Sequence, residues 1–281
     1  MARLLVTGAS GFIGVPLVRA LEADHEIKAL RRADGDIAVP ETLARIGKVG
    51  HVFHLAGRSF VPDSWRDPTG FVNTNVAGTT AVLDFCKQAG ASITLVSAYI
   101  YGQPDHVPID ETHPVRPNNP YALSKYLAEQ VCAFYASQFG VRVTIVRPFN
   151  IYGPRQADHF LIPTVVRQLK QGGPIRVLDL APRRDYLYVD DLVNLLVRTL
   201  SPAETGATVV NAGSGSSISV RELVDTLQSV AGTSLEVLSE NKPRHEELND
   251  VRADVSKARD CFGWVPRTSL EDGLQRLLTS A

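Results

Sequence analysis

The sequence predicts an α/β fold in which a parallel sheet, covered by helices on both faces, is followed by a smaller α/β region. Strand and helix candidates alternate through the first half of the chain. The strand candidates are apolar throughout, which is typical of parallel strands that are buried on both faces. A glycine-rich turn, "TGASGFIG" at residues 7–14, joins the first strand candidate to the first helix candidate. These observations favour a doubly wound sheet that begins near the first residue.

The individual elements follow from apolar patterning and from their boundary residues. The strand candidates are residues 3–7, 25–30, 51–57, 92–98, 141–148, 175–179, 208–213 and 234–240. The helix candidates are residues 12–23, 73–90, 120–140, 160–171, 189–200, 219–231 and 269–278. Pro16 fits the first helix only if it lies in the first turn, because proline has no N–H to donate. Proline at the start and Gly140 at the end favour one long helix over 120–140.

Two domains are expected from the chain length and the change in pattern. Residues 1–152 plus about 180–212 would form a first domain of parallel strands covered by helices. Residues from about 153 to 179 plus 213–281 would form a smaller C-terminal α/β domain. The chain would therefore pass between the two domains more than once.

Composition excludes several classes of function. The 281 residues are 44% hydrophobic and 21% charged, with a net charge of −1. No basic or acidic block suggests a nucleic-acid or membrane partner. Cys86, Cys132 and Cys261 show no metal-ligand spacing, so no metal is expected and the thiols fit a reducing compartment. No signal peptide or membrane-crossing run is evident, which predicts a cytoplasmic protein.

The glycine-rich turn has a physical explanation as a phosphate-binding loop. Glycine at positions 8, 11 and 14 permits a tight turn and lets backbone N–H groups approach a pyrophosphate at a helix N-terminus. A tight strand-to-helix turn without a ligand is the alternative explanation of these glycines. The end of the second strand, "KALRR", discriminates further. Arg31 and Arg32 stand where a carboxylate would contact the ribose hydroxyls of NAD, and guanidinium groups there favour the 2′-phosphate of NADP(H). Two solvated surface arginines are the alternative.

Tyr121 and Lys125 are candidates for acid–base chemistry. They are four residues apart on the helix candidate 120–140 and therefore share a face. Lowering a tyrosine pKa from about 10 by three units needs about 4 kcal/mol, much of which a buried ammonium could supply. Ser97 follows the 92–98 strand at the edge where open α/β sheets bind their ligands. Glycine loop, arginine pair, serine and Tyr–Lys pair in this order fit one site.

The chain resembles the extended short-chain dehydrogenase/reductase family, which contains nucleotide-sugar epimerases, dehydratases and reductases. The resemblance covers nearly the whole chain. It rests on "TGASGFIG", "GDI" (35–37), "HLAG" (54–57), "NVAGT" (75–79), "VSAYIYG" (96–102), "YALSK" (121–125), "RPFNIYGP" (147–154), "RRDYLYVDD" (183–191) and "ADVSKA" (253–258). The resemblance implies that residues 1–152 plus about 180–212 are a dinucleotide-binding Rossmann domain with a seven-stranded sheet. It also implies that residues from about 153 to 179 plus 213–281 are a small substrate-binding domain. By analogy it also implies a homodimer formed through the Tyr121 helix and its neighbour near 76–89.

The resemblance implies roles for individual residues. The cofactor would contact Gly8, Ser10, Gly11, Phe12, Ile13, Gly14, Arg31, Arg32, Asp36, Ile37, Leu55, Ala56, Gly57, Tyr121, Lys125 and Pro148. Tyr121 would be the catalytic acid, Lys125 its activator, and Ser97 the hydroxyl that polarises the substrate carbonyl. The substrate would contact Ser59, Tyr99, Asn150, Arg155, Arg184 and, by a looser match, Arg244.

The choice among family members depends on the residues that follow Ser97. Ala98 and Tyr99 replace the acid–base pair that a dehydratase would use, so dehydration is disfavoured. An NAD(P)-dependent 4-epimerase remains open, as does a non-catalytic NADP-sensing protein or scaffold. The segment "HLAGRSFVPDSW" (54–65) resembles the GDP-4-keto-6-deoxymannose reductases. The favoured hypothesis is therefore NADPH-dependent reduction of a C4 ketone on a GDP-linked 6-deoxy sugar, with NAD(H) as a possible cofactor.

Overall fold

A computed structural model describes residues 1–201, 206–242 and 248–279 of the chain. Six parallel strands form the central sheet of this described part: β1 (Arg3–Thr7), β2 (Glu26–Leu30), β3 (His51–His54), β4 (Ser92–Val96), β5 (Val143–Pro148) and β10 (Ala207–Ala212). Their spatial order is β10-β5-β4-β3-β1-β2. Successive neighbours pair in parallel, for example Thr7 with Leu30 and with His54. The order reverses beside β1, which creates the crevice where doubly wound sheets bind ligands.

Eleven α-helices accompany the strands within the described residues. They are α1 (Gly14–Leu21), α2 (Pro40–Ala44), α3 (Val61–Arg66), α4 (Pro68–Val72), α5 (Gly78–Ala89), α6 (Pro120–Phe139), α7 (Leu161–Gln171), α8 (Val189–Arg198), α9 (Val220–Ala231), α10 (Ser256–Phe262) and α11 (Leu270–Thr279). A 3₁₀ turn spans Arg32–Asp34, and a π-helical segment, Asn73–Ala77, leads into α5. The helix α6 begins at the Asn119 cap, whose side chain accepts the Ala122 N–H, and ends at Gly140 in a left-handed conformation.

The helices cover both faces of the sheet. Leu5 and Ile145 face a core shared with α5 and α6, whereas Leu4, Val6 and Val210 face a second core shared with α1 and α8. Alternate residues of each strand thus enter opposite cores, which explains why the strands carry apolar residues at every position. None of the helices in the described segments is long and apolar enough to cross a membrane.

A smaller region packs beside the sheet and contains the remaining strands. These are β6 (Asn150–Tyr152), β7 (Ile175–Val177), β8 (Arg183–Arg184), β9 (Tyr186–Tyr188), β11 (Ile218–Ser219), β12 (Val237–Ser239) and β13 (Asp250–Val251). They pair as β6 with β9, β7 with β12, and β8 between β11 and β13. Its core joins α7, α9 and α11 through residues such as Val165, Leu223 and Leu274. The expected two-domain division fits this arrangement and stays a prediction.

The carboxylate of Asp185 ties this region to the end of the central sheet. It accepts hydrogen bonds from the Ser214 N–H and hydroxyl, from the Gly215 N–H, and from the Ala253 N–H. The side chain is fully buried, and burial raises its pKa while these four donors favour the carboxylate. Asp185 therefore joins its own segment to the segments that contain Ser214 and Ala253, below the crevice.

The predicted elements of the central sheet are confirmed, with shifts of a few residues at their ends. Pro16 lies in the first turn of α1, where its missing N–H costs nothing. The expectation of seven strands is wrong for the described residues, which place six in the sheet. Residues 31–50 between β2 and β3 hold only the 3₁₀ turn and the short α2. This connection is too short to add the further strand beyond β2 together with its crossover helix.

Two buried histidines lie in β3. His51 hydrogen-bonds Ser92 Oγ at 2.8 Å and Thr94 Oγ1 at 3.0 Å. His54 hydrogen-bonds Thr7 Oγ1 at 2.8 Å through one ring nitrogen and Thr79 Oγ1 at 3.1 Å through the other. Burial lowers the pKa of each histidine to about 3. Both are neutral core residues near pH 7.

We predict that acid destabilises the fold through these histidines. In the unfolded chain both imidazoles have a pKa of about 6.5 and become protonated below that pH, whereas in the folded chain they stay neutral. Protonation therefore favours the unfolded state, and stability is lost as the pH falls. The free energy of unfolding should drop by about 3 kcal/mol between pH 6.5 and 5. Urea denaturation at both pH values measures it, and His51→Gln should roughly halve the drop. An unchanged drop in the variant would contradict this cause.

Candidate functional site

The candidate site lies along the carboxyl edge of the central sheet. Because the strands are parallel, the residues that follow β1, β2, β3, β4 and β5 all meet at this edge. The glycine loop follows β1, the arginine pair follows β2, residues 55–57 follow β3, Ser97 follows β4, and Asn150 comes shortly after β5. Pro148 is the last residue of β5 and is buried. The fold thus brings to one edge the groups that the sequence proposed as one site.

The glycine loop is a compact turn against the residues that follow β3. Gly8 has a φ of 68°, and a Cβ there would lie 2.8 Å from the Ala56 nitrogen. The Gly11 N–H donates to the Gly8 carbonyl at 2.9 Å. A Cβ on Gly14, the first residue of α1, would lie 2.8 Å from Ala9 Cα. Each glycine is therefore required for a close backbone approach, while Ser10, Phe12 and Ile13 complete the loop at or near the surface.

Asn75 braces the segment that follows β3. Its Oδ1 accepts the Arg58 N–H at 2.8 Å, and its Nδ2 donates to the Arg58 carbonyl at 3.0 Å and to Ser124 Oγ at 2.8 Å. A Cβ on Gly57 would lie 2.9 Å from Asn75 Oδ1 and 4.0 Å from Lys125 Nζ. Asn75 lies inside the π-helical segment and not at a helix start, and its side chain holds the segment that follows β3 against α6.

Thr7, at the end of β1, is a residue that the sequence analysis missed. Its hydroxyl accepts the Ala56 N–H at 3.1 Å and is joined to His54 by a 2.8 Å hydrogen bond. The glycine motif itself contains this threonine, but only the pairing of β1 with β3 reveals its partners. Thr7 and Asn75 together hold Leu55, Ala56 and Gly57 beneath the glycine loop.

Ser97 and Lys125 meet at the end of β4. Lys125 Nζ donates to the Val96 carbonyl oxygen at 2.7 Å, one residue before Ser97. The Lys125 side chain is buried, and burial lowers its pKa to about 8. Ser97 is 4% exposed, and its Oγ has no hydrogen-bond partner among the described residues. A buried hydroxyl in this position fits a polar ligand atom, because leaving it unpaired costs about 1–3 kcal/mol.

Tyr121 lies one turn before Lys125 on α6 and is partly buried. Its ring makes an edge contact with Phe71, with centroids 6.2 Å apart. Burial raises the Tyr121 pKa above its usual value. The expected lowering by Lys125 is absent from this structure, because desolvation dominates and the ammonium is directed to Val96. A phenol in this state holds its proton at neutral pH, which is the protonation state that a general acid has before transfer.

The predicted adenosine-side residues lie after β2. Arg31 and Arg32 are exposed, and no carboxylate in the described part of the chain forms an ion pair with either guanidinium. Asp36 accepts the Ala38 N–H through Oδ1 at 3.0 Å, whereas Ile37 is buried against α5. Two exposed guanidinium groups at this edge fit a phosphate ester better than a pair of neutral hydroxyls.

The predicted substrate residues are more widely spread. Asn150 Nδ2 donates to the Asp185 carbonyl at 3.3 Å, and Arg184 Nη1 donates to the Leu248 carbonyl at 2.6 Å. The Tyr99 hydroxyl donates to the Gly102 carbonyl at 2.6 Å. Ser59 and Arg155 are exposed, Arg155 with a left-handed φ of 71°. Arg244 lies outside the described residues, so its predicted role stays a prediction.

Two loops meet across the mouth of the crevice. Phe60, after β3, stacks on His159 with ring centroids 4.1 Å apart, and His159 in turn contacts Phe160 at 4.5 Å. Arg58 stacks over Phe71 at 4.3 Å and pairs with Asp67. The segment before α3 and the segment before α7 are therefore in contact. No cluster of three or more His, Cys, Asp or Glu side chains suited to a metal occurs in the described segments.

The bare backbone of the glycine loop, the free arginine pair and the Ser–Tyr–Lys group define a dinucleotide-binding protein of the short-chain oxidoreductase class. The sequence profile of the NAD dependent epimerase/dehydratase family matches residues 4–213. This chain therefore belongs to the NAD dependent epimerase/dehydratase family.

Relatives with known names extend the comparison over the whole chain. GDP-6-deoxy-D-mannose reductase of Pseudomonas aeruginosa is 36% identical, covering 99% of this chain and 96% of the relative. UDP-glucose 4-epimerase of Mycolicibacterium smegmatis is 32% identical, covering 98% and 96% respectively. The structure of RMD from Pseudomonas aeruginosa complexed with NADPH superposes with a TM-score of 0.91, at 34% identity over 100% of this chain and 98% of that one.

We predict that Gly14→Ala weakens NADPH binding at least tenfold, equivalent to about 1.4 kcal/mol. The added methyl would enter the backbone of Ala9, so the loop must move away from its pyrophosphate-binding shape. Titration by protein fluorescence measures the dissociation constant. Gly173→Ala is the matched control, because a Cβ there meets nothing within 4 Å. Equal affinity in both variants would contradict the assignment of the loop.

Proposed function

We propose that this protein is an NADP(H)-dependent reductase that converts the C4 ketone of a nucleotide-linked 4-keto-6-deoxy sugar to an alcohol. The observation that carries the proposal is the buried Ser97 hydroxyl, which has no hydrogen-bond partner among the described residues and follows Val96, whose carbonyl accepts the Lys125 ammonium. A ketone oxygen placed against Ser97 would satisfy that hydroxyl and lie within reach of α6. The end-to-end similarity to a GDP-6-deoxy-D-mannose reductase supports a GDP-linked substrate.

The chain's residues can divide the chemistry among them. The bound nicotinamide cofactor supplies the hydride that reduces the ketone. Ser97 donates a hydrogen bond to the substrate oxygen and stabilises negative charge that develops there. Tyr121, protonated in its buried surroundings, gives its proton to the nascent alkoxide. Lys125 keeps a positive charge beside the phenol, which stabilises the phenolate left after transfer.

The arginine pair supports NADP(H) as the preferred cofactor, with NAD(H) as a possible substitute. Arg31 and Arg32 directly follow β2, where the adenosine ribose of a bound dinucleotide would lie. A reductase that exchanges its cofactor at every turnover would use such a contact to select NADPH. NAD(H) stays a possible cofactor, because a related structure that is 29% identical to this chain, MoeE5 in complex with UDP-glucuronic acid and NAD, contains NAD.

A 4-epimerase is the second candidate, favoured by the similarity to UDP-glucose 4-epimerases. The same Ser–Tyr–Lys group would then remove and restore hydrogen at C4 with a retained cofactor. A non-catalytic NADP-sensing or scaffold protein is the third candidate. It is less well supported, because such a protein has no use for the tyrosine and lysine together with Ser97.

The assembly and location belong to the same proposal. We infer a homodimer formed through α6 and α5. Val72, Leu123, Leu127 and Phe134 are between 37% and 56% exposed, which leaves apolar surface beside these helices. The cysteines described by the structure form no disulfide, which supports a cytoplasmic location.

We predict that the double variant Arg31→Ala, Arg32→Ala weakens NADPH binding about tenfold or more while NADH binding stays unchanged. Each lost charge-assisted contact to the 2′-phosphate should cost about 1.5–3 kcal/mol at most, less where water screens it. Fluorescence titrations with both cofactors measure the selectivity. The exposed Arg167 on α7 provides the control variant Arg167→Ala. Equal affinity of the wild type for NADH and NADPH would remove the main support for the reductase.

We predict that Tyr121→Phe lowers kcat by about 10²- to 10⁴-fold and leaves NADPH affinity near that of the wild type. A panel of 4-keto and 4-hydroxy nucleotide sugars, followed by absorbance of the reduced cofactor, measures activity and distinguishes a reductase from an epimerase. Tyr126→Phe on the same helix is the matched control. A wild type that turns over none of the sugars, or a variant as active as the wild type, would contradict catalysis by Tyr121.

A further inference from the structure

A buried ion pair lies one helical turn beyond Lys125. Glu129 on α6 and Arg147 on β5 are 3% and 7% exposed. Arg147 Nε donates to both Glu129 carboxylate oxygens at 3.1 Å, and its Nη2 donates to Oε2 at 2.6 Å. Such a pair is costly to bury, since each charge must leave water. Its geometry is bidentate, which fixes α6 against β5 in both position and rotation.

The pair continues into a chain of hydrogen bonds. Arg147 Nη1 donates to the Tyr101 hydroxyl at 3.0 Å, and that hydroxyl donates to Asn211 Oδ1 at 2.6 Å. Asn211 Nδ2 donates to the Ile109 carbonyl at 2.9 Å, and its N–H donates to Glu111 Oε1 at 2.6 Å. Burial raises the pKa of Tyr101 to about 12, so it remains a neutral link. The segment after Ser97 is therefore held by the same network that holds α6.

Glu129 supplies negative charge near Lys125. The ionisable groups that interact with Lys125 are Glu129 and Cys132 on α6 and His54 on β3, and Tyr121 lies one turn before it on the same helix. Burial raises the pKa of the Cys132 thiol to about 12 and lowers that of His54 to about 3, so both are neutral near pH 7. Glu129 therefore supplies the anion among them, with Arg147 on its far side.

We propose that Glu129, oriented by Arg147, is a positioning residue that keeps Lys125 protonated and aligned in its buried place under the site. The inference rests on the proposed function, in which a charged Lys125 stabilises the Tyr121 phenolate. Desolvation alone favours the neutral amine, and the carboxylate one turn away opposes it. The bidentate pairing with Arg147 prevents Glu129 from turning to bind Lys125 directly. The ammonium is thus free to donate to Val96 and to face the reacting groups.

The titration of Lys125 tests the inference without a substrate. The full chain, labelled with ¹⁵N-lysine, reports each Nζ shift against pH, and Lys125→Met assigns the signal. We expect Glu129→Gln to lower the titration midpoint of Lys125 by about one pH unit, because the anion is lost and Arg147 becomes uncompensated. Glu129→Asp, which keeps the charge, should restore most of the difference. Glu26→Gln, the same change at an exposed site in β2, should leave the midpoint unchanged.

The direction of the shift separates electrostatics from loosened packing. Water that enters a loosened helix would raise the Lys125 midpoint toward about 10.4, the value of a free lysine. A midpoint in Glu129→Gln that rises or stays unchanged would overturn the inference. If that variant does not fold, the double variant Glu129→Gln, Arg147→Met removes both charges, a change that buried pairs often tolerate. In this double variant the titration midpoint of Lys125 must also lie below that of the wild type, by a smaller amount than in Glu129→Gln alone.

Kinetics then connect the titration to the reaction. In an active enzyme, the alkaline limb of the kcat/KM profile should move to lower pH in Glu129→Gln, in step with the Lys125 midpoint. A uniform loss of activity at every pH, without movement of the limb, would contradict the positioning role. If the wild type reduces no nucleotide sugar, the proposed function fails, while the midpoints still decide the inference. The two failures are therefore distinguishable.

Discussion

The hydrogen bond from the Lys125 ammonium to the Val96 carbonyl is the contact on which the rest of the site depends. It joins the longest helix to the end of β4, at the residue before Ser97. A lysine at this depth loses hydration, and burial lowers its pKa to about 8. The surrounding structure can be understood as the set of contacts that make a buried cation tolerable there. The Asn75–Ser124 hydrogen bond lies beside Lys125 in the sequence of α6, and the Glu129–Arg147 pair lies one turn further along the same helix.

At the end of the crevice that would bind phosphate, the shape of the backbone takes the place of polar side chains. Gly8 leaves no side chain between the loop and the segment that follows β3, and Gly11 and Gly14 leave none within the loop, so N–H groups at the start of α1 can face an anion. Thr7 locks the two segments together from below. The phosphate-binding end of the site thus depends on the absence of side chains, whereas the reacting end depends on buried polar ones.

Buried polar side chains lie between the sheet and the smaller region, whereas the two cores that cover the faces of the sheet are apolar. Asp185 and Asn211 bind backbone groups of neighbouring segments and carry no surface exposure. A substrate that spans both regions would rest on loops that these two residues hold in place. The contact of Phe60 with His159 shows that the loops from the two sides already meet. Specificity for the sugar would therefore arise from loops whose bases are fixed and whose tips are exposed.

The sequence by itself determined the parallel sheet, its helices, and the edge at which the chemistry would lie. The signals used were local: apolar runs, the glycine spacing and the four-residue separation of Tyr121 from Lys125. Local patterns of this kind can be read from the sequence alone. The sequence-based expectation of a seventh strand came from family likeness and failed, because the 31–50 connection is too short to contain it. Tertiary structure alone decided the partners of Thr7, Asn75 and Arg147, and the direction of the Tyr121 pKa. These depend on which strands and helices become neighbours, and on how much water that packing removes, neither of which is written in the spacing of residues along the chain.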